Sequence, residues 1–167
     1  MGLAIAHRGP DAAGIWTDKD AGIGLVHRRL AIVDLTPAGQ QPMTSASRRY
    51  VMVFNGEIYN HLSLRKDLES GGRAPTWRGH SDSETLLAGI DAWGIQETLM
   101  RCVGMFAIAL WDREHRTLCL ARDRLGEKPL YFGWQSRGQD RVFLFGSELK
   151  ALKAHPAFEG RINRQSL

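Results

Sequence analysis

The apolar residues of the chain fall into runs with two periods, one near two residues and one near 3.6. Arg49-Tyr50-Val51-Met52-Val53-Phe54 is dense in β-branched and aromatic residues and predicts a strand. Residues 60–70 repeat with a helical period, and Gly71-Gly72 ends that helix. Upstream, residues 1–6 are short and apolar and read as the last turn of a helix before the loop Gly9-Pro10-Asp11. Ile15-Trp16 predicts a strand turned by Thr17-Asp18-Lys19-Asp20. Two further strand-like runs, Ile23-Gly24-Leu25-Val26 and Leu30-Ala31-Ile32-Val33-Asp34-Leu35, flank His27-Arg28-Arg29.

Downstream, Ser81-Asp82-Ser83-Glu84 has the spacing of a capping box, and Leu86, Leu87, Ile90 and Trp93 supply the apolar face of the helix it starts. Gly94 stops that helix, and a short one follows over 96–102. Residues 105–111 and 117–121 predict a hairpin across the polar turn 112–116. Strands at 130–134 and 141–145 precede a closing helix that begins at 147 and breaks at Pro156. Hairpins dominate the strand connections, which predicts an α+β domain: antiparallel sheets with helices on their outer faces. The whole chain reads as one domain, without repeats or linkers.

Composition narrows the function classes. The 167 residues are 43% hydrophobic and 24% charged, ordinary values for a globular protein. The net charge of +4 comes from arginines scattered in ones and twos, so no basic stripe suits a nucleic acid. Cys102 and Cys119 have no metal-ligand spacing, and no metal site is expected. No apolar run reaches membrane-spanning length, and with few thiols and no secretory signal the expectation is a cytoplasmic protein.

Candidate chemistry gathers at Phe54-Asn55-Gly56-Glu57-Ile58-Tyr59-Asn60. The pattern puts Asn55-Gly56 at the tip of a strand, where a carboxamide and a free N–H side by side could hold an oxyanion. Asn-Gly is equally a tight-turn signal, although the next residues read as a helix and not as a returning strand. Arg29 sits between apolar runs, where burial requires an anion; it either grips a carboxylate bidentately or points to solvent. Asp82 either complements the helix dipole or binds an ammonium group. His7 reads as a hydrogen-bonded loop residue rather than a base.

Taken together, His7-Arg8-Gly9-Pro10-Asp11, His27-Arg28-Arg29-Leu30-Ala31-Ile32-Val33-Asp34, Phe54 to Asn60, Ser81-Asp82-Ser83-Glu84, Gly104-Met105-Phe106-Ala107, Ala121-Arg122-Asp123-Arg124-Leu125-Gly126 and Ser147-Glu148-Leu149-Lys150-Ala151-Leu152 resemble the class II glutamine amidotransferase domain. The likeness is nearest to the N-terminal half of glutamine-hydrolysing asparagine synthetases. It implies an N-terminal-nucleophile (Ntn) hydrolase αββα sandwich, with two antiparallel β-sheets between helical layers. It also implies cleavage of L-glutamine to glutamate and ammonia, for ATP-dependent amidation of aspartate. By the resemblance, Arg29 binds the glutamine α-carboxylate, backbone groups around Leu30, Ile32 and Val33 line the pocket, and Glu57 and Asp82 hold the α-ammonium. The Asn55 side chain and the Gly56 N–H form the oxyanion hole. The domain itself needs no cofactor; ATP and magnesium belong to a synthetase domain or chain, the implied partner. A homodimer is compatible with the family.

In that family the nucleophile is a cysteine at the mature N-terminus, with its own α-amino group as base. Here Met1-Gly2 open the chain, and the resemblance starts partway into the family's pattern. The expectation is therefore an N-terminally truncated domain, inactive as it stands. Two other readings are a nucleophile-less domain like that of β-lactam synthetase and a non-catalytic module that contacts a synthetase partner.

Overall fold

The computed structural model describes residues 1–31, 34, 36–138 and 140–160. A 3-10 helix, Gly2–Arg8, leads into an antiparallel ribbon of β1 (Ala12–Asp18) and β2 (Ile23–Arg29). After a single 3-10 turn, Pro37–Gly39, come β3 (Met43–Thr44) and β4 (Tyr50–Ile58), then helices α1 (His61–Ser70), α2 (Asp82–Trp93) and α3 (Ile95–Arg101). Strands β5 (Gly104–Asp112) and β6 (Thr117–Arg122) complete a four-stranded antiparallel sheet in the order β3-β4-β5-β6. A second ribbon, β7 (Tyr131–Arg137) with β8 (Asp140–Gly146), precedes α4 (Leu149–Lys153).

Three apolar clusters bind these elements into successive layers. On one face of the large sheet, Met52, Phe54 and Ile58 of β4 and Phe106, Ile108 and Leu110 of β5 meet Leu64 of α1 and Leu86, Leu87 and Ile90 of α2. On the other face, Val51 and Trp111 pack against Leu25 of β2 and Phe145 of β8. Beneath the second ribbon, Leu144 meets Ala151 and Leu152 of α4, Met1, and Ile5 of the first helix. The order helix, sheet, ribbons, helix is the sandwich that the alternating patterns predict. No helix among the described residues is long and apolar enough to cross a membrane.

Helix α2 begins where its cap predicts. The Ser81 Oγ accepts the Glu84 N–H at 3.1 Å, but Glu84 does not reach back to Ser81. Its carboxylate, 4% exposed, instead accepts the N–H groups of Arg78 and Gly79 at 2.8 and 3.0 Å. Gly94, at φ +81°, both ends α2 and opens α3.

Two segments differ from the predicted pattern. Strand β4 does not stop at Phe54: it runs through Asn55, Gly56 and Glu57 to Ile58, so the Asn-Gly pair lies inside a strand rather than at its tip. The cause is β5, which pairs with it as far as Ile58↔Gly104. The two backbones approach so closely that a Cβ on Gly56 would lie 2.1 Å from the Met105 carbonyl oxygen. Strand β2, conversely, ends at Arg29, because its partner begins at Ala12. Asp11 then takes the Ala31 N–H at 2.8 Å, and the strand predicted over 30–35 is not formed at Leu30, Ala31 or Asp34. Ile32, Val33 and Leu35 lie outside the described residues.

Candidate functional site

The β1–β2 and β7–β8 ribbons leave between them a cavity of about 1180 Å³ whose floor is β4 and β5. Arg29, Leu30, Asn55, Gly56, Glu57 and Asp82 all line it, so the structure brings together every predicted site residue that it describes. Ile32 and Val33, predicted as pocket lining, lie outside the described residues. Leu30 is 56% exposed at the rim.

Strand alternation puts Asn55 and Glu57 on one face. Val51 and Val53 pack between the sheets, and Asn55 and Glu57 continue the same face into the cavity. The carboxamide nitrogen of Asn55 is buried and has no hydrogen-bond partner among the described residues. Beside it, the register decides where the Gly56 N–H points. Phe106, opposite Gly56, turns its own N–H and C=O toward Asp123, at 3.1 and 2.8 Å. Gly56 therefore belongs to a non-hydrogen-bonded pair, and its N–H is directed off the β4 edge, away from β5.

The two neighbouring outward amides show where that edge leads. The Phe54 N–H is accepted by Gln41 Oε1 at 2.6 Å, and the Ile58 N–H by Asp82 Oδ2 at 3.0 Å. Asp82, 5% exposed, also accepts the Ser83 N–H at 2.8 Å and the Ser83 hydroxyl at 3.3 Å on its other oxygen. Gln41 closes the circuit by donating to the Ser83 Oγ at 3.4 Å. A buried polar network thus ties the middle of β4 to the start of α2.

On the opposite wall, Arg29 is braced from both sides. Its carbonyl accepts the Asp11 N–H at 3.1 Å, and Gly9 lies so close that a Cβ there would sit 2.3 Å from the Arg28 carbonyl carbon. Its guanidinium donates to the Thr36 carbonyl at 2.9 Å and to that of Asp34. Among the described residues these two carbonyls take two of its five N–H donors. His27, two residues earlier in β2, donates from Nε2 to the Phe54 carbonyl at 3.2 Å. Burial outweighs that bond, and with the Arg29 charge nearby it lowers the His27 pKa to about 4. The ring is neutral at pH 7, with Nδ1 buried and unpartnered among the described residues.

Neither cysteine lines the cavity. Cys102 belongs to the core between helices and sheet, where burial pushes its thiol up to about 11. His7 is exposed and lies within the Gly2–Arg8 helix, not in a loop as expected; its Nε2 is hydrogen-bonded to Lys150 Nζ at 3.1 Å and lies 3.3 Å from Glu148. Sequence reasoning missed His27, Asp34 and Gln41. The one local signal was Asp34, a carboxylate inside an otherwise apolar run, which must find donors if it is buried.

Comparison with known proteins adds an independent line. The glutamine amidotransferase domain family matches residues 1–167. Asparagine synthetase [glutamine-hydrolyzing] 3 of Bacillus subtilis (strain 168) is 38% identical over 165 residues, 98% of this chain and 25% of that protein. Asparagine synthetase B [glutamine-hydrolyzing] of Escherichia coli (strain K12) is 44% identical over 148 residues, 89% of this chain and 25% of that one. Asparagine synthetase [glutamine-hydrolyzing] 3 of Arabidopsis thaliana is 40% identical over 148 residues, 89% and 24%. The chain spans about a quarter of the length of the curated relatives it matches.

Proposed function

The chain belongs to the glutamine amidotransferase domain family, and on that premise we propose that its cavity binds L-glutamine with the side-chain amide held for hydrolysis. The observation that carries this reading is the pair of donors on β4: a buried Asn55 carboxamide nitrogen, unpartnered among the described residues, next to an outward Gly56 N–H. An unpartnered buried donor costs about 1–3 kcal/mol, a penalty relieved when a ligand oxygen arrives. Two donors fixed by a strand need no rearrangement as charge builds on the amide oxygen, so they favour the tetrahedral intermediate over the ground state.

The other groups select an α-amino acid. Arg29 offers its free donors to the α-carboxylate, while Glu57 and the remaining acceptor site of Asp82 take the α-ammonium. Leu30 closes the side of the pocket. Residues 1–167 thus supply grip and polarisation. The thiol and its amine base are the part that the family provides from a mature N-terminus. Neither Cys102 nor Cys119 lines the cavity. In the longer relatives the released ammonia would pass to a synthetase part that amidates aspartate with ATP and magnesium, and this domain would be its supplier.

Titrating L-glutamine into the chain by calorimetry tests the reading. Saturable binding is expected, and Arg29→Ala weakens it by about 1.5–3 kcal/mol, the worth of a charged hydrogen bond. A folded chain that takes up no glutamine ends the proposal.

A further inference from the structure

Asp34 is the least exposed carboxylate near the cavity, with a side chain only 1% exposed, and it touches both walls. Toward β2, its main-chain carbonyl accepts from the Arg29 guanidinium. Its Oδ1 accepts the Thr36 N–H at 2.8 Å and the Thr36 hydroxyl at 2.6 Å, shaping the turn whose Thr36 carbonyl receives Arg29 at 2.9 Å. Toward α2, its Oδ2 accepts the His80 N–H at 3.0 Å, two residues before Asp82. Glu84 fastens the same approach segment from the helix side through Arg78 and Gly79.

Two glycines admit this arrangement. A Cβ at Gly79 would lie 2.3 Å from Asp34 Oδ2, and one at Gly39 would lie 2.5 Å from Arg29 Nη2. Burial alone would raise the Asp34 pKa. The Thr36 hydroxyl, the N–H groups of His80 and Thr36, and the charge of the His80 ring together outweigh it and bring the value down to about 2. The carboxylate is ionised at neutral pH, and its hydrogen bonds are of the stronger, charge-assisted kind.

Resting on the glutamine reading above, we propose that Asp34 is a positioning residue that sets the separation between Arg29 and Asp82, and so matches the cavity to a head group bearing both charges. It touches no substrate atom. It joins the turn that aims the guanidinium to the segment that places the helix carboxylate. An asparagine at this position keeps the shape but turns an N–H₂ toward one of the donors that the carboxylate now satisfies. The two charge-binding groups then lose their common reference.

The test is Asp34→Asn in the same chain, titrated with three probes. L-glutamine carries both charges, 4-aminobutanamide lacks the α-carboxylate, and 5-amino-5-oxopentanoate lacks the α-ammonium. The variant is expected to bind L-glutamine at least about tenfold more weakly, with about threefold loss or less for either one-charged analogue. A general loosening of the fold would weaken all three alike, and that pattern overturns the proposal. Should thermal melting show Asp34→Asn unfolded, Thr36→Val removes one bond to the same carboxylate. It is expected to give the same ligand pattern at smaller amplitude, and an even loss there also overturns it. Failure of the wild-type chain to bind L-glutamine removes the parent reading and this proposal together. Wild-type binding with unchanged ligand preference in both variants removes the role of Asp34 alone.

Discussion

The two faces of the four-stranded sheet are built from the same strands to opposite ends. Toward the helices, Met52, Phe54 and Ile58 alternate along β4 into a core in which every member is nearly or wholly buried. Toward the ribbons, Val51 and Val53 begin an equally apolar face, which then gives way to Asn55 and Glu57 and an open cavity. The helix face holds the strand straight by close packing. The cavity face leaves donors unpaired and polar side chains half-buried, which only a strand held from behind can tolerate. Stability and chemistry are divided by the two-residue period of one strand.

This division can be broken from either side, and the effects should fall in a definite order. The largest loss of stability belongs to the helix face. Ile108→Ala, at a site 1% exposed and directly opposite Phe54, should lower unfolding free energy by roughly 2–5 kcal/mol in urea denaturation. Its effect on the preference among the three glutamine probes should be nil.

Next comes His27, which belongs to both faces because it holds the Phe54 carbonyl from the cavity side. Its pKa is about 4 in the fold against 6.5 for the free side chain, so the folded state binds the proton less well. The associated stability is present in full above pH 6.5 and is lost as pH falls from 6.5 through 4. A loss of roughly 2–3 kcal/mol is expected between pH 7 and 4 in urea titrations, and His27→Gln should flatten that window. The carboxylates of Asp34 and Asp123, both lowered to about 2, act in a separate window between about 3.8 and 2.

Asn55→Ala should cost the least stability, no more than about 0.5 kcal/mol, because it removes a buried donor that no described residue satisfies. If Asn55→Ala destabilises the chain as much as Ile108→Ala does, the cavity face is part of the core and the division falls.

Much of this was legible in the sequence wherever the cause is local. The capping serine of α2, its apolar face and the β5–β6 hairpin follow from spacing alone, and the structure reproduces them within a residue or two. The Asn55-Gly56 pair was legible as a site but not as strand interior, because the residues that extend β4 lie some fifty positions later in β5. Arg29 announced itself by its charge. His27 and Gln41 did not, since their meaning lies in main-chain groups of β4 that are 27 and 13 residues away. Resemblance named residues that line one cavity; it said nothing of the hydrogen-bond network around them.

The hydrogen bond from Ile58 to Asp82 has a consequence for discrimination by length. The N–H groups of Gly56 and Ile58 lie on one extended backbone two residues apart, about 6.8 Å at the usual rise of a strand, and Asp82 is hydrogen-bonded to the second. The backbone part of that span cannot be shortened by a rotamer change; only the hydrogen bond to Asp82 can give. An amino-acid amide one methylene shorter would have to give up one end to reach the other.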